Sequence, residues 1–331
     1  MPASQTIIEE FHSAALEGNP LGDPATRHVP VYLPPDFDEG ELYPSLYLLS
    51  AFGSRGLKFL NDDLWEENIQ QRLDRLIQAG QVRPLVAVLP DCSTRYGGSQ
   101  YLNSVATGNY EDHLLELVKF IDGKYPTQPA AAARAVAGHS SGGFGALWLG
   151  MRHSDTFGLV ASHSGDGGFE LVYQPAFGEL LRYAERVGEE GLRDLLGDPG
   201  SALRAGAPQL ALDTLAMASV YSPNPEAALG FDLPFDLHNG QLRPEVWARW
   251  LAHDPLKQIH NYAAALRSLQ LLYIDCGRFD EYNLLYVARQ LGEKLRAAGI
   301  SFQYEEYEGG HRNMKHRFDV AFAAISAAFP D

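Results

Sequence analysis

A serine, a carboxylate and a histidine occur in this chain in the order and the settings that nucleophilic catalysis needs. Gly138-His139-Ser140-Ser141-Gly142 follows the apolar run Ala133-Arg134-Ala135-Val136-Ala137 and opens into Gly143-Phe144-Gly145-Ala146-Leu147-Trp148-Leu149. A strand, then Gly-x-Ser-x-Gly, then a helix predicts a turn so sharp that the Ser140 hydroxyl stands clear of both elements. Gly138 and Gly142 fit that turn because a Cβ at either place would collide with neighbouring backbone. The spacing alone is weak evidence. A serine hydroxyl is a poor nucleophile until a neutral imidazole takes its proton, and that imidazole needs a carboxylate on its other nitrogen. A base and an acid must therefore follow downstream.

Both are present. Ile274-Asp275-Cys276-Gly277-Arg278-Phe279-Asp280-Glu281 follows one apolar run, and Tyr304-Glu305-Glu306-Tyr307-Glu308-Gly309-Gly310-His311 follows another. Each is a strand-to-helix junction at the carboxyl edge of a parallel sheet, where open α/β folds bind ligands. The order Ser140, Asp280, His311 is the one such a fold uses. Asp275, Glu281 and Asp166 compete with Asp280 for the acid. His316 reads as a surface residue of the last helix, and His139 and His163 as local packing or supporting residues. The oxyanion formed on attack needs two backbone N–H donors. Ser141 supplies one, and the loop Ser50-Ala51-Phe52-Gly53-Ser54 supplies the other, from Phe52 with Ala51 next. No metal-binding, phosphate-cradling or dinucleotide motif competes, so no metal and no cofactor are expected.

Short dense apolar runs at Leu46–Leu49, Leu85–Leu89, Arg134–Ala137, Phe157–Ala161 and Leu269–Ile274 suit strands buried on both faces. Helical patterns separate them at Leu64–Ala79, Glu111–Tyr125, Gly143–Arg152, Glu281–Ala298 and His311–Phe329. This alternation implies an α/β fold with a mostly parallel, doubly wound sheet. Arg27–Leu33 reads as an earlier antiparallel strand. From about Glu170 to Asn261 the rhythm breaks into short helices and Pro-rich turns such as Tyr221-Ser222-Pro223-Asn224-Pro225. Residues 1–169 and 262–331 are thus expected to form the core domain, with 170–261 inserted as a mainly helical cap. Its Phe235, Trp247 and Trp250 are the substrate-binding candidates, beside Tyr221 and Phe231; aromatic residues in a cap also serve to hold it on its domain.

The 331 residues carry 42 acidic and 26 basic side chains, a formal net charge of −16. That argues against nucleic acid and anionic membranes as partners. It also disfavours a strongly anionic substrate unless a local basic pocket overrides the average. No apolar run is long enough to span a membrane. The N-terminal residues show no secretory pattern, which makes a cytoplasmic protein the expectation. Cys92 and Cys276 follow strands that the topology sets about four places apart, roughly 19 Å, so both are expected as free thiols.

With these residues in hand, the chain resembles the putative-esterase family of α/β-hydrolases. That group includes esterase D and S-formylglutathione hydrolases, enterochelin esterases, feruloyl esterases and the antigen 85 mycolyltransferases. The resemblance is carried by Arg27-His28-Val29-Pro30-Val31-Tyr32-Leu33-Pro34-Pro35, Tyr43-Pro44-Ser45-Leu46-Tyr47-Leu48-Leu49, Leu89-Pro90-Asp91 and Tyr101-Leu102-Asn103-Ser104. It continues through the Gly138–Leu147 segment, Asp275–Glu281 and Gly309-Gly310-His311. It implies an α/β-hydrolase fold, an ester-hydrolysing serine enzyme acting on a small-molecule ester, and an acid three residues after Gly277, which is Asp280. Ser50-Ala51 stands where many members carry His-Gly, and a Cys-containing segment typical of formylglutathione hydrolases is missing near this loop. The same residues would also serve acyl transfer to an acceptor other than water. A hydrolase-fold binding protein without turnover is the reading from a different class.

Overall fold

The computed structural model describes residues 3–330. Eight strands form one sheet: β1 (Gln5–His12), β2 (Thr26–Leu33), β3 (Ser45–Leu49), β4 (Val86–Val88), β5 (Arg134–His139), β6 (Leu159–His163), β7 (Leu271–Gly277) and β8 (Gln303–Tyr307). Their order across the sheet is β1-β2-β4-β3-β5-β6-β7-β8. Strand β2 runs antiparallel to β1 and β4, and every other neighbouring pair is parallel. Every residue of β3 and β7 is buried, as expected where helices cover both faces of a parallel sheet. Cys92 and Cys276 are both buried and unbridged, near strands four places apart.

The main helices are α1 (Ile69–Gln78), α2 (Tyr110–Lys124), α3 (Ser141–Arg152), α4 (Phe177–Gly197), α5 (Gln209–Tyr221), α6 (Pro244–Leu251), α7 (Leu284–Ala297) and α8 (Arg317–Ala328). One face of the sheet packs against Leu73 and Leu76 of α1 and Phe318, Phe322 and Ile325 of α8. The other packs against α2, α3 and α7. Helices α4, α5 and α6 belong to the long connection between β6 and β7. Their Leu180, Leu215 and Trp250 share one apolar cluster with Phe144 and Leu149 of α3. Helix α3 is consequently buried from Ser141 to Met151 without a polar face, the pattern of a helix enclosed on all sides.

Helix boundaries depart from the apolar pattern for local reasons. Helix α1 starts at Ile69 rather than Leu64, because Asn68 and Gln71 form a capping box. The Asn68 side chain accepts from the Gln71 N–H at 3.0 Å and the Gln71 side chain accepts from the Asn68 N–H at 2.9 Å, which closes the helix end there. Leu64 and Trp65 are left in an exposed loop. The last helix begins at Arg317, not at His311, and the intervening residues carry His311 in a loop. The edge strand β1 gave no clear signal in the sequence: Gln5, Ile7, Ile8, Glu10 and His12 are exposed, so its apolar residues do not mark a buried face.

Helix α3 can approach the sheet only because the elbow residues are small. A Cβ on Gly142 would lie 2.3 Å from the Leu49 carbonyl oxygen, and one on Gly138 would lie 2.4 Å from the Gly142 carbonyl. Both obstacles are backbone, so neither can swing aside. Gly142→Ala is therefore expected to lower unfolding free energy by about 3 kcal/mol through overpacking, measured by urea denaturation against the unsubstituted chain.

Candidate active site

Ser140 sits between β5 and α3 with φ 58° and ψ −123°, a positive-φ backbone conformation that a residue with a Cβ rarely adopts. The strain is held in place by hydrogen bonds on both sides: the Ser140 N–H donates to the His163 carbonyl at 3.0 Å, and the Phe144 N–H donates to the Ser140 carbonyl at 2.9 Å. The turn directs the hydroxyl at the loop after β8. There the Ser140 Oγ lies 2.9 Å from His311 Nε2. On the other side of the ring His311 Nδ1 lies 2.8 Å from Asp280 Oδ2. With the Nδ1 proton donated to the carboxylate, Nε2 is left as an acceptor for the serine hydroxyl.

Asp280 is positioned by the start of α7. Its Oδ1 accepts from the Tyr282 N–H at 3.0 Å and the Leu284 N–H at 3.4 Å, while Oδ2 faces His311. Burial works against the charge on this carboxyl, but the His311 hydrogen bond, the imidazole charge and the backbone donors outweigh it and hold the pKa below the usual value. Opposing pulls of this kind keep a buried carboxylate ionised beside its histidine. Glu281, weighed as a rival acid, does something else: its Oε2 accepts from the His311 backbone N–H at 2.7 Å, which anchors the loop that carries the ring.

The other sequence candidates separate cleanly. Asp275 lies 2.7 Å from His163 Nδ1 and 2.9 Å from Arg317 Nε, and it accepts from the Tyr273 hydroxyl at 3.1 Å. It is an internal ion cluster under the sheet edge, away from His311. His139 packs on His311 with ring centroids 4.5 Å apart, and Tyr282 meets the same ring edge-on at 4.8 Å. Burial first, and then the nearby His311 and His163 charges, push His139 down to about 3. It thus stays neutral against the His311 ring. His316 is exposed.

Ser141 opens α3, so its N–H points out of the helix N-terminus, where a developing negative charge is favoured. Ala51 and Phe52 approach from the loop after β3, and both border the cavity above Ser140. Two residues to which the sequence pattern gave no role at the site tie these pieces together. Gln100 and Tyr101 have φ of 49° and 58° in succession. The Ser141 hydroxyl donates to Gln100 Oε1, and the Tyr101 hydroxyl donates to the Ser50 carbonyl. One strained dipeptide therefore grips the elbow helix with one side chain and the Ser50–Phe52 loop with the next. Gln100 Nε2 is in turn surrounded by Asp166 Oδ2 at 3.1 Å and the Tyr173 and Tyr221 hydroxyls at 3.0 and 3.2 Å. Asp166 thus belongs to this network and not to the His311 ring nitrogens.

The cavity over Ser140 has a volume of about 450 Å3 and is bordered by Tyr173, Met217, Trp250, Tyr282 and two acids, Asp166 and Asp213. Burial raises both acids, and it pushes Asp213 up to about 6. Of the three cap aromatics expected at the substrate, only Trp250 reaches this wall. Phe235 and Trp247 do not: they pack inside the inserted segment around Phe177, with centroids at 4.7 and 5.6 Å. Ring-on-ring contact there satisfies their apolar surface without any ligand. No group of His, Cys, Asp and Glu side chains among the described residues is arranged to hold a metal ion, and none of their helices is long and apolar enough to cross a membrane.

A sequence model of the family described as "Putative esterase" matches residues 24–329. The chain belongs to this family. Its relatives include Esterase Rv1288 of Mycobacterium tuberculosis strain H37Rv and Esterase MT1326 of strain CDC 1551, each 26% identical over 319 residues. The alignment covers 91% of this chain and 54% of each relative, so the chain spans about half their length. Among solved structures, a ferulic acid esterase superposes with a TM-score of 0.64 at 21% identity, covering 99% of this chain and all of that one. The S-formylglutathione hydrolase FrmB from Staphylococcus aureus superposes with a TM-score of 0.60 at 16% identity, covering 99% of each chain. At these identities the likeness establishes the fold, which is that of the α/β-hydrolases.

The two acids make a direct contrast. The Asp275 pKa is lowered; burial opposes this, but the His163 and Arg317 charges and hydrogen bonds prevail. A carboxyl with a depressed native pKa stabilises the fold above its unfolded value, and that contribution disappears as pH falls through the native value. Asp275→Asn is expected to cost about 3 kcal/mol at pH 7, since it leaves the Arg317 and His163 donors short of an anion. The gap to the unsubstituted chain should close as pH falls below 3.8, the ordinary aspartate value, in denaturant unfolding measured across an acid pH series.

Proposed function

We propose that the chain is a serine carboxylesterase working through an acyl-enzyme on Ser140. The single observation that carries this reading is the continuous hydrogen-bond chain from Ser140 Oγ through His311 to Asp280, with spacings of 2.9 and 2.8 Å. Family membership supports the same chemistry at the level of ester hydrolysis.

In this mechanism His311 Nε2 removes the hydroxyl proton as Oγ adds to the ester carbonyl. Asp280 holds the ring in the required tautomer and stabilises the imidazolium. Negative charge passes to the former carbonyl oxygen, which the N–H groups of Ser141 and Phe52 receive. The imidazolium then protonates the departing alcohol as the tetrahedral adduct collapses to the acyl-enzyme. Water repeats the sequence, releasing the carboxylic acid and restoring the Ser140 hydroxyl. Gln100 and Tyr101 act as positioning residues for the two oxyanion donors, because their side chains fix the elbow helix and the Ser50–Phe52 loop at once. Residues 170–261 serve as the cap, with Trp250 and Tyr173 on the pocket wall. The cavity of about 450 Å3 suits a small-molecule ester.

The test is turnover of p-nitrophenyl acetate by the intact chain and two variants. Ser140→Ala is expected to abolish it, and Asp280→Asn to reduce kcat by about 10⁴ through the wrong histidine tautomer. Turnover that survives Ser140→Ala would move the nucleophile elsewhere and end this reading.

A further inference from the structure

Phe52 borders the cavity over Ser140. On the far side of that ring lies a second hollow of about 620 Å3, and Phe52, Gly53 and Gln209 border both spaces. The ring is fixed between them: Gly97 leaves no room for a Cβ against it, and the Gly53 N–H donates to the Gly97 carbonyl at 3.1 Å. Three segments wall the hollow, namely the turn after β3, the loop after β4 and the inserted helices. The first two bring Arg55, Lys58 and Arg95 to its edge, beside Asn61, Ser93 and Thr94.

Among the described residues no carboxylate lies within ion-pair distance of these three side chains. The acids facing Arg95 are Asp23 and Asp198. Asp23 accepts from the Arg95 backbone N–H at 3.1 and 3.2 Å, and Asp198 accepts from the Ser201 N–H at 3.0 Å. Three cations without ion pairs thus border one hollow in a chain with 42 acids and 26 bases. They create a local positive potential that the net charge of −16 conceals. The inner cavity has Asp166 and Asp213 on its wall together with Arg312.

We propose that this hollow is a subsite for an anionic group carried by the ester, a carboxylate or phosphate several bonds from the scissile carbonyl. Guanidinium groups match such anions with paired N–H donors, and Lys58 adds a point charge. The assignment rests on Ser140 being the esterase nucleophile, and the experiment separates the two. Matched esters are compared by kcat/KM. One series has p-nitrophenyl esters of dicarboxylic acids against the same esters with the far carboxylate methylated. The other has acetate esters of alcohols with and without a terminal phosphate.

In at least one series the anionic member should exceed its neutral match about tenfold. The combined variant Arg55→Gln, Lys58→Gln, Arg95→Gln should bring that ratio to within about twofold of unity. Equal rates for anionic and neutral members throughout, or a preference that survives the triple substitution, overturns the proposal. If no ester is turned over, the esterase reading fails instead. The hollow is then judged by calorimetric titration of the phosphorylated acetate ester into Ser140→Ala protein. Binding that the triple substitution weakens about tenfold supports the subsite, and absence of such weakening overturns it.

Discussion

Everything at this site depends on how closely helix α3 approaches the sheet. The contact is backbone against backbone, with Gly142 set on the Leu49 carbonyl and Gly138 folded under Gly142. Only at that distance can the chain reverse between β5 and α3 in a single residue. The residue at the reversal is Ser140, whose positive φ is the strain that the packing sustains. The enclosure of α3 by the sheet on one side and by α4, α5 and α6 on the other supplies the compensating apolar burial. Fully burying one side chain such as Phe144 or Leu149 contributes roughly 2 kcal/mol.

Around this turn the remaining parts arrive from different strand ends. Strand β7 ends in the turn that carries Asp280, and the amides of Tyr282 and Leu284 at the entry to α7 hold one of its oxygens while His311 takes the other. Strand β8 delivers His311 on a loop tied by Glu281. Asp275, one strand-end earlier, anchors the same region from below through Arg317 and His163. Two carboxylates five residues apart thus have divergent surroundings: one faces an imidazole at a cavity, the other is enclosed among an arginine, a histidine and a tyrosine. The sheet edge supplies the geometry, and local hydrogen bonds decide which acid meets His311.

Much of this was legible from the residues. The strands β3 to β7 are dense apolar runs because both of their faces are covered, and the elbow is legible because only glycine fits two of its positions. Position after a strand brought Asp280 and His311 forward but left Asp275, Glu281 and Asp166 as rival acids, among which the family resemblance pointed to Asp280. What escaped the sequence has identifiable causes. Strand β1 is an edge strand with exposed apolar residues, so its periodicity is weak. The start of α1 is set by a side-chain capping box rather than by the apolar stripe. Hydrophobicity says that Phe235, Trp247 and Trp250 are buried, but not that all three pack on Phe177 and only Trp250 also borders the cavity. Gln100 and Tyr101 adopt positive φ without a glycine or asparagine to announce it. The overall charge obscured Arg55, Lys58 and Arg95, since an average cannot report that three cations border one hollow.

The central claim is that the substrate's acyl group is covalently held on Ser140 between two half-reactions. Mass spectrometry of protein acid-quenched within the first turnovers of a p-nitrophenyl ester tests it most directly. The account predicts a mass increase equal to the acyl group, confined after digestion to the peptide that contains Ser140 and absent from the Ser140→Ala chain. Hydrolysis with no acylated peptide under any quench time, or acylation at another residue, would contradict it.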